Sequence, residues 1–433
     1  MEDINNLQKS KLTICDILII FTILFQGANH LIIFSSPFFK YFIILLGVIL
    51  LLDNIKNNRE FKVNIYYLIF LMIIYLYSAI ISPNIKLIVP MCFFIFEIIT
   101  FKLYIKRFST REELFRRLLK IILISSTILA TIGIIQIFAY KLGIKILYDF
   151  KWIGIIPNYY GYLEEGRFYS IYDEPAHLCT IIGAGLFASY FYIKRYSKNY
   201  FVNLIIIGIF GLCTGSIVTY FSIAVFAFLI LLYSFYYDRT SIATKLLTIL
   251  FILFLFGIVL ILNFSLFENS IIKLDNFFAD NSTNVYEQNK TTFAIKSNLL
   301  IVIQKIKDGY IFGTGIFSHE FYYFDYVDMI YPNRYQKYLN YSDAASIFIR
   351  IFSEFGILGF AFLTELIIMI VKYFRKKDYI GLFYICLFIT QGSRLGDYTW
   401  LFNCLPFVIL LNDNFLKNNN LKKFNRSLIW KRN

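Results

Sequence analysis

The sequence predicts an all-α polytopic membrane protein, a single integral domain over residues 1–433. Three observations predict it: a composition too apolar for water, a series of apolar runs of membrane-spanning length, and basic residues gathered in alternate connections. Soluble domains carry about 25% charged residues. This chain carries 16% charged and 58% hydrophobic residues, with a mean hydropathy of +0.64.

Crossing a hydrocarbon core roughly 30 Å thick takes about 20 mainly apolar residues, and about 12 runs approach that length. They cover 12–34, 38–53, 63–82, 86–105, 118–139, 175–194, 200–213, 216–237, 243–264, 344–371, 379–393 and 397–413. Two boundaries come from dividing longer runs. The first division falls at Cys213-Thr214-Gly215-Ser216, the second at Gly392-Ser393-Arg394-Leu395-Gly396-Asp397. The polar opening MEDINNLQKSK has no small-residue cleavage site after it, so the first run is expected to be retained as a span.

Lysine and arginine in short connections stay on the cytoplasmic side. Here they follow every second span: Lys56, Arg59 and Lys62; the run from Lys102 to Lys120; Lys194, Arg195 and Lys198; Arg239 and Lys245; Lys372, Arg375, Lys376 and Lys377; and the tail KNNNLKKFNRSLIWKRN. Both termini are therefore expected in the cytoplasm. Two long loops, 140–174 and 265–343, then fall on the outer face. The first holds four basic against five acidic residues and the second seven against nine, so the net charge of +14 lies wholly outside them. That excess is a topology signal and an attraction to anionic lipid; nucleic-acid binding is excluded. The six cysteines show no CxxC and no ligand-type clustering, so neither a disulfide framework nor a metal site is expected.

The second loop is too long to be a passive connector. Within it, 292–308 sets Ile295, Leu299, Val302, Ile303 and Ile306 at helical spacing. This predicts an amphipathic helix, either packed on the end of the bundle or lying in the membrane interface.

Charged groups at membrane depth are costly and mark candidate sites. The first cluster is GRFYSIYDEPAHL, at 166–178. Pro175 suits the first helical position and Glu174 the cap before it, with His177 on the same face and Arg167 upstream. Either these groups secure a helix end, or Arg167 binds an anion while Glu174 or His177 orients or deprotonates a substrate. The second cluster is Asp343 with Arg350, seven residues on and so on one helix face. An ion pair of Arg350 with Glu354 is one reading. A polar cavity is the other, since Arg350 would lie roughly 10 Å below the helix end. The third is Arg394, a basic residue in a short outer connection, which suggests an anionic partner. Arg334 and His319 in the large loop are further candidates. No Walker loop, HExxH or GxSxG is present.

These stretches resemble elements of Wzy-type O-antigen and capsular polysaccharide polymerases. GRFYSIYDEPAHL is similar to the arginine-then-EP element that opens a span after a mid-chain loop in that family. Gly309 to Phe317, Ser342-Asp343 and Ser353-Glu-Phe-Gly-Ile-Leu-Gly359 resemble the end of the large loop and the E-x-G-I-x-G span shared with O-antigen ligases, and Thr214-Gly-Ser216 a shared T-x-S helix start. Ligases typically carry His-Asn where this chain has Ser342-Asp343, which favours a polymerase; Ile217 stands where an arginine is usual.

The resemblance implies a GT-C-like glycosyltransferase of the bacterial cytoplasmic membrane that joins undecaprenyl-diphosphate-linked repeat units at the outer face without a cofactor or metal. A chain-length regulator protein is an implied partner. Arg167, Arg350 and Arg394 would stabilise the diphosphate, because bidentate arginine suits phosphate. Glu174, His177 and Asp343 are the available bases. A ligase, or a flippase for lipid-linked oligosaccharide, is the alternative, although transporters usually show repeat symmetry between halves.

Overall fold

The computed structural model describes residues 12–57 apart from 29–30 and 34–35, positions 73, 76–78 and 80, residues 87–237 apart from 158–159 and 165, and residues 290–411 apart from 332–337 and 339. The expected span 243–264, most of 63–82, the basic tail and Arg334 lie outside the described residues.

Helix α1 (Ile14–Phe25) starts at a capping box in which the Thr13 hydroxyl and the Asp16 carboxylate serve each other's backbone N–H groups. The expected first span, 12–34, ends early. After Phe25 the chain turns into a small antiparallel hairpin, β1 (Ile32–Ile33) with β2 (Ser36–Pro37), an element that the all-α expectation lacked. Then follow α2 (Phe39–Lys56), α3 (Ile88–Ile105), α4 (Arg111–Lys141), α5 (Cys179–Arg195), α6 (Phe201–Cys213) and α7 (Ile217–Tyr237). Beyond 290 come α8 (Lys290–Lys307), α9 (His319–Ile330), α10 (Ile347–Phe355), α11 (Leu358–Arg375), α12 (Tyr379–Gly392) and α13 (Leu401–Leu411). Among the described residues, Ile88–Ile105, Arg111–Lys141, Pro175–Arg195 and Val218–Tyr237 are long and apolar enough to cross a membrane. The protein is thus mostly helical, with helices suited to a membrane.

Helix α5 is the central element, with α4, α6, α7 and α12 packed around it. Of its most apolar window 83% is buried, against 28% in Val218–Tyr237. Its small residues explain the close approach: a β-carbon on Gly183 would press on Ser222 and Phe226, and one on Gly185 on Ser126. At the end of the bundle holding the start of α1, Tyr104 donates to Asp16 (2.8 Å), Arg117 faces the same carboxylate and Arg111 pairs with Asp378.

Loop 140–174 is folded back onto the other end. The Gln136 carbonyl accepts from the N–H groups of Tyr169 (3.2 Å) and Ser170 (3.0 Å), Tyr172 lies over Gly27, and the Asp173 N–H donates to the Gly27 carbonyl (2.7 Å). These bonds deliver Asp173 and Glu174 to the start of the 3-10 turn Pro175–Leu178 that leads into α5.

The expected span 344–371 is two helices. Gly356, at φ 56°, breaks it, and the Ile311 carbonyl fills the place a β-carbon would take. The break lets the segment after α8 cross between α10 and α11. The helix also starts later than expected: Ser346 caps α10 and donates from its hydroxyl to the Gly392 carbonyl (2.8 Å). Asp343 therefore does not share a helix face with Arg350. It lies in a turn whose Ala344 (φ 56°) and Ala345 (φ 60°) are left-handed, a costly arrangement that persists only where packing over-determines it. Glu174 precedes its helix as expected, but its side chain makes no cap bond.

The turn between α12 and α13 packs directly on this segment. A β-carbon at Gly396 would overlap the Asp343 carbonyl. Gly396→Ala is expected to destabilise by about 1–3 kcal/mol through backbone displacement. Gly208→Ala, whose new methyl meets Leu186 at 3.9 Å, should hold or raise the thermal midpoint in detergent. Equal midpoints for the two variants would contradict this packing.

Candidate functional site

At the end of the bundle where loop 140–174 folds back, the side chains gather from elements far apart in sequence. Arg394, in the turn after α12, places Nη2 2.8 Å from both oxygens of Glu174, across 220 residues of chain. His177 lies one turn into the same entry: Nδ1 is 2.6 Å from Asp173 Oδ1 and Nε2 3.4 Å from Glu174 Oε2. A carboxylate therefore faces each ring nitrogen. The edge of Trp400 closes over it at 5.3 Å between centroids. Two carboxylates thus face one arginine and one histidine, and that pairing allows all four side chains to be buried.

The balance also sets the role of Glu174. Burial alone would raise its carboxyl pKa, but Arg394, His177 and Arg167 outweigh burial and hold it at about 2. A carboxylate so committed is a weak base. For Arg394, burial opposes the charge, while the Glu174 and Asp343 carboxylates more than offset it and raise the pKa above the ordinary arginine value.

Donor and acceptor capacity remains around this pair. Arg394 Nε is buried with no hydrogen-bond partner. Arg167 is half-buried, its guanidinium 4.8 Å above the Tyr162 ring and its charge felt at Glu174. Asp343 is half-buried; its Oδ1 accepts from Asn340 Nδ2 (3.2 Å) and the Ala345 N–H (3.0 Å). Arginine thus stands beside a carboxylate at this end of the molecule.

Arg350 sits behind the turn. It pairs with Glu354 (2.8 Å), donates to the Gly396 carbonyl (3.2 Å) and lies over the rings of Phe317 and Tyr398. Tyr398 donates to the other Glu354 oxygen (2.9 Å). The internal ion pair, one of the two sequence readings, is the geometry observed. His319 belongs to a separate buried network: Nδ1 meets Ser353 Oγ (2.7 Å) and Nε2 meets Asn298 Oδ1 (2.8 Å). Lys305 completes that network through Thr314 and Ser353, and burial pushes its ammonium down to about 7 against the pull of Glu354. Both ring nitrogens of His319 are engaged there.

The structure therefore brings Arg167, Glu174, His177, Asp343 and Arg394 to one end, with Arg350 supporting from behind and His319 apart. Asp173, Trp400, Tyr398 and Gly396 complete the arrangement. Of these only Asp173 had a local sequence signal, its four-residue spacing from His177.

A carboxyl depressed by folding contributes stability that is complete above its unfolded value, roughly 4.3. That contribution is lost as the pH falls toward about 2. Glu174→Gln should flatten the acid limb of a stability–pH curve. It should also cost about 3–5 kcal/mol at neutral pH, because the Arg394 charge stays buried without its partner. An unchanged acid limb in detergent unfolding scans would refute the assignment.

No protein-family model, curated protein or solved structure matches this chain.

Proposed function

We propose that the chain is a GT-C-like membrane glycosyltransferase of about 12 spans that polymerises undecaprenyl-diphosphate-linked oligosaccharide repeats into O-antigen or capsular polysaccharide. It works at the outer face of the bacterial cytoplasmic membrane, with both termini in the cytoplasm. The observation that carries the reading is the Arg394 guanidinium, anchored through Nη2 on Glu174 while its buried Nε has no partner, beside Arg167 and the Asp343 carboxylate. Lys and Arg crowd the opposite end of the helices, around Arg111, Arg117 and Arg195, which supports the orientation.

In this mechanism the acceptor hydroxyl oxygen attacks the anomeric carbon of the lipid-linked donor. The bond from that carbon to the diphosphate oxygen breaks, and the lipid diphosphate leaves with the electron pair. Arg394 and Arg167 stabilise its growing charge, an electrostatic contribution of the kind that dominates many transferases. The hydroxyl proton passes to Asp343. Glu174 keeps Arg394 oriented, and His177 is held between the Asp173 and Glu174 carboxylates.

Asp343→Asn and Arg167→Lys in the full chain should each cut long-chain polymer by about 100-fold or more while leaving the protein level in the membrane unchanged. Normal chain-length ladders in both variants would sink the proposal. Loss of the gene should leave single repeats on the surface acceptor. Repeats retained on the carrier at the outer face would instead make the protein a ligase, and repeats retained at the inner face a flippase.

A further inference from the structure

Helix α8 has two unlike faces. Asn298, Ile301, Val302 and Lys305 are buried against α9 and α10. Leu299, Ile303 and Ile306, at spacings of four and three residues, form a stripe on the other side and are 37%, 41% and 40% exposed. The stripe does not end with the helix. Ile311 and Phe312 follow at 49% and 55% exposure, and the Ile311 carbonyl accepts from the Ile357 N–H (2.8 Å) at the start of α11. There Ile357, Leu358 and Phe360 are more than half exposed, and beyond the exposed Thr364 and Glu365 apolar exposure resumes on α11 at Ile367 and Ile368. The Tyr77 hydroxyl donates to the Phe312 carbonyl (2.8 Å), so the connecting segment is also tied to the apolar run at 63–82.

A contiguous exposed apolar surface of this kind marks an interaction site. Its continuity with the outward face of α11, where Phe360, Ile367 and Ile368 are more than half exposed and Lys372 and Arg375 stand only in the last turn, identifies the occupant as lipid. We propose that α8 lies in the headgroup–acyl boundary of the membrane at the site-bearing end, with Ile303, Ile306, Ile311 and Phe312 immersed. The inference needs only that the chain is embedded in a membrane and does not rest on the transfer chemistry. Amphipathic helices bind such boundaries through their apolar stripe. The Lys305, Ser353 and His319 network fastens the buried face to α10, so the lipid contact is coupled to the segment carrying Arg350 and Glu354.

A photoreactive benzophenone amino acid placed at Ile303 or at Ile306, in the full chain in phospholipid nanodiscs, tests this. Both positions should form phospholipid adducts at a level similar to one at Phe360. The yield should be about tenfold above that at Asp325, an exposed position on α9. Adducts at the Asp325 level, or crosslinks to a second copy of the chain, would overturn the proposal.

Discussion

The pairing of Arg394 with Glu174 is the constraint on which the end of the molecule bearing the candidate site depends. Neither charge tolerates burial alone, because removing an ion from water costs several kcal/mol unless an opposite charge and hydrogen bonds replace the solvent. The first loop must therefore arrive at the same place as the turn between α12 and α13. The backbone bonds of Tyr169, Ser170 and Asp173 bring one side there, and the Ser346 bond to Gly392 and the tight contact of Gly396 with Asp343 bring the other. His177 and Asp173 complete the neutralisation.

The same residue type then takes different parts according to its surroundings. Arg350, wholly answered by Glu354, the Gly396 carbonyl and two aromatic rings, holds the turn in place from beneath. Arg394, answered at Nη2, keeps an unused donor at its buried Nε. Two carboxylates divide in the same way: Glu174 is consumed by its cations, while Asp343 stands half-buried in a strained turn. A site built like this presents positive charge beside a carboxylate without an isolated buried ion.

Much of the scaffold was legible along the chain. The apolar runs at 86–105, 118–139, 200–213 and 216–237 correspond closely to α3, α4, α6 and α7, and the amphipathic pattern at 292–308 to α8. Helix periodicity is local, so it survives without knowledge of the neighbours. The early end of α1, the break at Gly356 and the late start of α10 were not legible. Each depends on a backbone approach from a distant segment, as the Ile311 carbonyl against Gly356 illustrates. Among candidate residues, the costly charges at Arg167, Glu174, His177, Asp343 and Arg394 stood out because apolar surroundings make charge conspicuous.

The sequence by itself determined the class of molecule, most of its helices and which charged side chains needed an explanation, because hydropathy and charge act residue by residue. Only the tertiary structure decided which charge answers which. Glu174 had a histidine three residues away and an arginine seven residues before it, yet its hydrogen-bonded partner is Arg394, 220 residues on. Ion pairing depends on distance in space and on the water excluded around it, and both are properties of the packed chain.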